Sequence, residues 1–184
     1  MGKPYHECNV ITMHIGNGVS HTAVKNGVSI DTSMGLTPLE GAVMGTRCGD
    51  IDPALLPFIC RMEKKTADEV ENTLNKAGGL KGITGRYTDR RDIEKASQEG
   101  DERARLSIEI EAYRLKKYIG AYMAVLGRVD AIVFTAGVGE NSPLIRSKAC
   151  SDLECLGIKL DEEKNKTARG KETLISTPDS RVKV

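Results

Sequence analysis

Tryptophan is absent from this chain of 184 residues, and aromatic residues of all kinds make up 4%. Surfaces that stack nucleic-acid bases or sugars draw on such rings, so neither is well supported. An excess of one charge is also lacking: 27 Lys and Arg against 26 Asp and Glu leave a formal net charge of +1. That balance removes the electrostatic footprint of a protein that tracks a phosphate backbone, and nucleic acid is not an expected partner. Long apolar runs are missing. Stretches such as Ala131 to Ala136 are too short to span a bilayer, and the N-terminus has no basic segment leading into an apolar run, so no membrane is expected and the chain reads as cytoplasmic. The five cysteines (Cys8, Cys48, Cys60, Cys150, Cys155) are scattered, with no close C-x-x-C pair and no histidine at ligand spacing. A disulfide framework or zinc site is thereby excluded, and reduced thiols are expected. There is no P-loop lysine motif, internal repeat or low-complexity segment.

The length suffices for one substantial core, or one core with a small subdomain, and a single domain is the starting expectation. The first third predicts strands: Cys8 to Ile15, Val19 to Lys25, and Val28 to Thr32 after the turn dipeptide Asn26-Gly27, together a three-stranded meander. Asp52-Pro53 predicts a helix start. Thr66 begins another helix, with Glu69 placed as in a capping box and Gly78-Gly79 ending it. Gly82 to Asp92 reads as a loop. Asp101 caps the longest helix, to about Leu126, with Leu106, Ile110, Tyr113, Leu115, Tyr118, Ile119 and Tyr122 marking a broad buried face and Gly127 closing it. Ala131 to Thr135 has the length and apolarity of a strand covered on both faces, leading through a glycine turn to a helix. Strand character returns weakly at Thr173 to Ser176 and in Arg181 to Val184; an ending within an incipient strand gives the expectation of a piece of a longer chain. Antiparallel strands, helices, then a buried strand and helix describe an α/β domain of ribonuclease-H-like topology, one of several such topologies open to the pattern.

Four segments bear on chemistry. His14-Ile15-Gly16-Asn17-Gly18-Val19-Ser20 is a two-glycine turn whose backbone N–H groups can approach an anion, although a plain hairpin is the simpler reading of that segment alone. Thr135-Ala136-Gly137-Val138-Gly139-Glu140-Asn141 lacks the third glycine of a dinucleotide fingerprint, which removes an NAD reading and leaves a glycine platform for adenine and ribose. Gly45-Thr46-Arg47-Cys48-Gly49 sets one arginine between glycines, where its fork can reach a bound anion or simply point to solvent. Asp89, Arg90, Arg91 and Asp92 form either a binding loop or a solvated charge cluster.

The ordered set HIGNGVS, VKNGVSIDTSMGLTPLEGAVMGTRCGDIDPA, DRRDI, YIGAYMAVL, DAIVFTAGVGENSPLIR and ISTPDSRVKV closely resembles the acetate kinases over essentially the whole chain. The long second segment separates this family from the sugar kinases, chaperone ATPases and actin, with which it is thought to share ribonuclease-H-like domains. The resemblance implies that residues 1–184 are the C-terminal nucleotide-binding domain of an enzyme that moves phosphate reversibly between ATP and acetate, giving acetyl phosphate and ADP with magnesium. It implies a phosphate-binding turn at His14, Ile15, Gly16, Asn17 and Gly18, and a nucleotide-contacting loop at Asp89, Arg90 and Arg91. It further implies that Gly137, Val138, Gly139, Glu140 and Asn141 hold adenosine and that Arg47 stabilises the transferred phosphoryl group, where positioned cations lower the energy of spreading negative charge.

By the same resemblance an N-terminal domain with further catalytic groups is missing, and the magnesium-contacting glutamate lies beyond Val184, so no metal ligand is assigned. Subunit pairing through this half, aided by the long apolar helix, implies a homodimer. His21 departs from the family, which commonly has a small or apolar residue there, as does Gly85-Arg86-Tyr87-Thr88. Propionate and butyrate kinases, and a nucleotide-binding module without transfer activity, are the competing readings.

Overall fold

The computed structural model describes residues 2–184. In chain order its elements are β1 (Val10–Ile15), β2 (Val19–Lys25), β3 (Val28–Thr32), α1 (Leu55–Glu63), α2 (Ala67–Lys76), α3 (Gly79–Thr84) and α4 (Arg90–Gln98). There follow α5 (Glu102–Leu126), β4 (Ala131–Thr135), α6 (Ala136–Asn141), α7 (Pro143–Cys150) and α8 (Glu162–Thr167). The chain forms two compact units, one of Met1–Ser33 with Ala112–Val184 and the other of Met34–Glu111.

The first unit holds a four-stranded sheet in the order β3-β2-β1-β4. The meander forms as the sequence predicts: β1 and β2 are antiparallel with Met13 opposite His21, and Asn26 and Gly27, both at positive φ, make the turn into β3. β4 joins β1 in parallel, with His14 opposite Thr135. Asn9 and Asp130 set this register, since the N–H of Asn9 donates to Asp130 Oδ2 at 2.7 Å and the N–H of Asp130 donates to the Asn9 carbonyl at 2.8 Å. Ile11, Met13, Ile15, Val19, Ala23 and Ile132 are buried, consistent with the period-2 patterning of sheet strands. The strand character at the end of the chain appears as single bridges, Lys183 beside Ala131 and Ser176 opposite Leu160.

Four local predictions change. The strand expected to be covered on both faces is not, since Val133 of β4 is 41% exposed. The expected loop over Gly82 to Asp92 is shorter, because α3 ends at Thr84 and α4 begins at Arg90. The glycine turn after β4 is itself helical: Ala136 takes a φ of 66° and α6 runs through both Gly137 and Gly139. The buried stripe of α5 is carried by Ala104, Ile108, Ala112, Leu115, Ile119, Tyr122 and Leu126, spaced three or four residues apart, whereas Leu106 and Tyr113 are 53% and 63% exposed. Leu115, Ile119 and Tyr122 are buried as the sequence predicts, and the small residues Ala104 and Ala112, which the apolar pattern of large side chains does not mark, complete the stripe. The five cysteines are free. Among the described residues no helix is long and apolar enough to cross a membrane.

In the second unit the capping box is complete: Thr66 Oγ1 accepts from the N–H of Glu69, while Glu69 Oε2 accepts from the N–H of Thr66 at 2.8 Å. Asp101 Oδ1 accepts from the N–H groups of Arg103 and Ala104, setting the start of α5.

Candidate functional site

Within the first unit, the turn between β1 and β2 and the segment after β4 lie side by side. Both follow the carboxyl ends of the parallel pair β1 and β4, the end of a sheet where α/β folds place ligands. His14 and Thr135 link them, with Nδ1 and Oγ1 3.0 Å apart. When the Thr135 hydroxyl donates to Nδ1, the exposed Nε2–H of His14 remains a donor. A Cβ on Gly16 would stand 3.7 Å from that of Ala136, and the Gly16 N–H donates to the Gly18 carbonyl at 2.9 Å, so the turn is tight. Asn17 is exposed at its tip and Ile15 is buried beneath it.

α6 is braced by its own side chains. Glu140 Oε1 accepts from the N–H of Ala136 at 3.1 Å, and Asn141 Nδ2 donates to the Gly137 carbonyl at 2.9 Å. Gly139 is buried against the strand ends: a Cβ there would sit 3.3 Å from the Phe134 carbonyl carbon and 3.4 Å from the Met13 oxygen. Gly137, Glu140 and Asn141 face outward, and Val138 is half-buried. Bare backbone on one side and exposed polar groups on the other suit a flat ligand laid along the segment.

Within the second unit, Arg47 sits in a loop closed at its base by Gly41 and Asp50. The N–H of Gly41 donates to Asp50 Oδ1, and that of Asp50 to the Gly41 carbonyl, both at 2.8 Å. The tip rests on the junction of α2 and α3, where the Leu80 and Lys81 N–H groups donate to the Met44 and Gly45 carbonyls, each at 2.9 Å. Gly79, at a φ of 57°, makes this approach possible, because a Cβ there would lie 2.6 Å from the Arg47 carbonyl oxygen. The guanidinium is half-buried, and its donors reach the Pro38 carbonyl at 3.1 Å and Met44 Sδ at 3.4 Å, both through Nη1. Among the described residues it has no carboxylate partner, so the rest of the fork is open to an anion. Arg47 also lines an open cavity of about 510 Å³ with Asp68, Glu71, Asn72, Asn75 and Lys76, and the two carboxylates among them are unsuited to phosphate.

Asp89, Arg90 and Arg91, adjacent in sequence, are separated in role. Asp89 caps α4, with Oδ1 accepting from the Arg91 N–H at 2.9 Å, and the Arg91 side chain and amide hold its carboxyl down to about 2. Arg91 is almost fully exposed. Arg90 turns inward to the buried Glu111 instead. Sequence reasoning missed the His14–Thr135 link in the first unit and, in the second, the close approach at Gly79 and the Gly41–Asp50 closure. Pairing across the sheet signals the first, but no local pattern signals the closure.

Among the described residues no group of three or more His, Cys, Asp or Glu side chains could hold a metal ion.

A family model described as the acetokinase family matches residues 1–184. The acetate kinase of Geobacter metallireducens is 63% identical over all of this chain and 44% of its own length. The crystal structure of Porphyromonas gingivalis acetate kinase superposes with a TM-score of 0.97 at 47% identity, covering 99% of this chain and 46% of that one. A propionate kinase from Francisella tularensis superposes at 0.89 with 45% identity, over 96% and 45% of the two chains. The chain thus spans about half the length of the relatives it matches.

Proposed function

The chain belongs to the acetokinase family, and from that premise we propose that it is the nucleotide-holding, C-terminal half of a kinase passing phosphate reversibly between ATP and acetate, with acetyl phosphate and ADP as the other pair. The observation that carries this reading is the meeting of His14 to Gly18 with Gly137 to Asn141 at the carboxyl ends of β1 and β4. The turn at Gly16, Asn17 and Gly18 contacts phosphate, and the face of Gly137 to Asn141 lies along the adenosine. Arg47 meets the moving phosphoryl group, because a guanidinium held in a rigid loop without a counter-ion serves a charge that develops only during transfer. Asp89 and Arg91 contact the nucleotide, while Arg90 anchors the start of α4 through Glu111.

Magnesium belongs to the reaction of the whole enzyme; no ligand in this chain is assigned to it, and no step is derived through it. ATP and acetate as substrates suit a cytoplasmic enzyme. Leu106 and Tyr113, seven residues apart on α5 and both exposed, support a homodimer.

Propionate as the acyl acceptor is the second reading, favoured by the similarity to the Francisella enzyme. A module that binds nucleotide without transfer has little need of Arg47. A coupled assay on the full-length protein tests the proposal: acetate-dependent ADP formation is expected, and its absence defeats the reading. The 184-residue chain alone is expected to bind ATP or ADP weakly with no turnover, and a profile across acetate, propionate and butyrate identifies the acceptor.

A further inference from the structure

Arg146, on α7, is 2% exposed and has no carboxylate within ion-pair distance among the described residues. Burial lowers its pKa, with Arg169 adding repulsion. A buried cation without an anion is stable only when every donor is well used. Here the acceptors are three backbone carbonyls, from α6 and from α8 with its C-terminal cap, and one side-chain amide. Nη1 donates to the Gly139 carbonyl of α6 at 2.8 Å, and Nη2 to the Asn165 carbonyl of α8 at 2.8 Å and the Ala168 carbonyl at 3.3 Å. Nε donates to Asn165 Oδ1 at 2.8 Å. Asn165, fully buried, returns the support by donating Nδ2 to the Pro143 carbonyl at 3.0 Å, where α7 begins.

The Gly139 contact is the informative one. α6 is six residues long, too short to be stable by itself, and two of those residues are glycines. Its Ser142 N–H closes on the Val138 carbonyl at 2.8 Å, one residue before Gly139, so the carbonyl held by Arg146 lies in the last turn of the element. Gly139 meets the strand ends on one side and the guanidinium on its carbonyl oxygen. The exposed residues Gly137, Glu140 and Asn141 are carried by this fixed point.

We propose that Arg146 is a positioning residue for nucleotide binding: braced by Asn165, its guanidinium fixes the Gly139 carbonyl and thereby the α6 face on which adenosine lies. The inference rests on the reading of α6 as the adenosine wall. A lysine cannot replace it fully, because a point charge cannot reach Gly139 and the α8 carbonyls together in planar geometry.

Arg146→Met and Arg146→Lys test this in the 184-residue chain by three measurements: affinity for a fluorescent ADP analogue, melting temperature, and hydrogen exchange of the α6 amides. In Arg146→Met, affinity should fall about tenfold or more, and the Ser142 amide should lose protection ahead of the strand amides of β1 and β4. Arg146→Lys should recover part of both. Unchanged α6 exchange, or affinity within twofold of the parent with α6 exposed, overturns the inference, as does uniform loss of protection across the first unit in both variants. If Arg146→Met does not fold, Arg146→Lys decides alone, and exchange and affinity like the parent's refute the proposal. If the parent itself binds no nucleotide, the reading of the site fails separately. Exchange at α6 then still decides whether Arg146 positions the element.

Discussion

Arg90 and Glu111 form a buried ion pair in which two guanidinium nitrogens converge on one carboxylate oxygen, Nε at 2.7 Å and Nη2 at 2.5 Å from Oε1. Their side chains are 7% and 1% exposed. Burial raises the Glu111 pKa, with Arg90 pulling the other way, so each charge depends on the other. Glu111→Gln or Arg90→Met should destabilise the second unit by about 3–5 kcal/mol, since either strands a charge away from water. Joint replacement by Leu and Met should cost much less. Urea unfolding of the three variants checks this, and equal losses would show that the pair is not acting through its charges.

His21 has an acid-side signature. Its ring is fully buried in β2, tilted against Tyr118 at 5.1 Å between centroids, and neither ring nitrogen has a hydrogen-bond partner. Burial lowers its pKa from the ordinary 6.5 to about 4. Between these values the unfolded chain binds the proton and the folded chain does not, so stability is greatest above pH 6.5 and falls as pH drops toward 4. The gap corresponds to roughly 3 kcal/mol. His21→Val should flatten that part of the curve relative to the parent. Urea midpoints at pH 7.5 and 5 in both proteins provide the comparison, and parallel losses would assign the effect to other groups.

Gly79→Ala should damage the Arg47 loop from a distance. The new methyl would meet the Met44 and Arg47 carbonyl oxygens, and backbone at a φ of 57° already disfavours any side chain. A loss of more than about 2 kcal/mol is expected, because neither obstacle is a flexible side chain. Thermal unfolding would reveal it. A stability like that of the parent would mean the loop can move off α3 at little cost.

Arg47→Ala in the full-length enzyme should slow turnover by about two to four decades, equivalent to roughly 3 to 5 kcal/mol of barrier, while ATP affinity changes little. The Gly41–Asp50 closure does not involve the Arg47 side chain, so melting temperature should stay near the parent's. Arg47→Lys should restore only part of the rate. Turnover, affinity and melting temperature falling together would make Arg47 a loop anchor instead.

The sequence exposes those parts of the fold governed by neighbours in the chain. The ends of β2 and β3, the Asn26-Gly27 turn, the Thr66–Glu69 box and the Asp101 cap are all local chemistry, and all form where the residues predict. α6 was hidden because Gly137 and Gly139 weaken a helix by propensity, and contacts outside the segment override that. Arg90 looks like Arg91 in sequence; only Glu111, 21 residues away, makes it an interior group. Arg146 stands at helical spacing among Ile145, Ala149 and Cys150, an apolar setting that signals a buried cation but not the carbonyls it serves.

β3 is exposed along its whole length and forms one border of the sheet, with Val28 and Ile30 at 63% and 46% exposure. Its outer row of amides and carbonyls is a template for another extended chain, and the irregular register at Ala23 and Val24 and the charge of Asp31 only partly blunt it. During refolding from denaturant, intermolecular strand pairing along this border is expected to compete with correct assembly, and to gain with protein concentration. The yield of soluble protein, more than the final stability, is the quantity that replacing Val28 and Ile30 is expected to change.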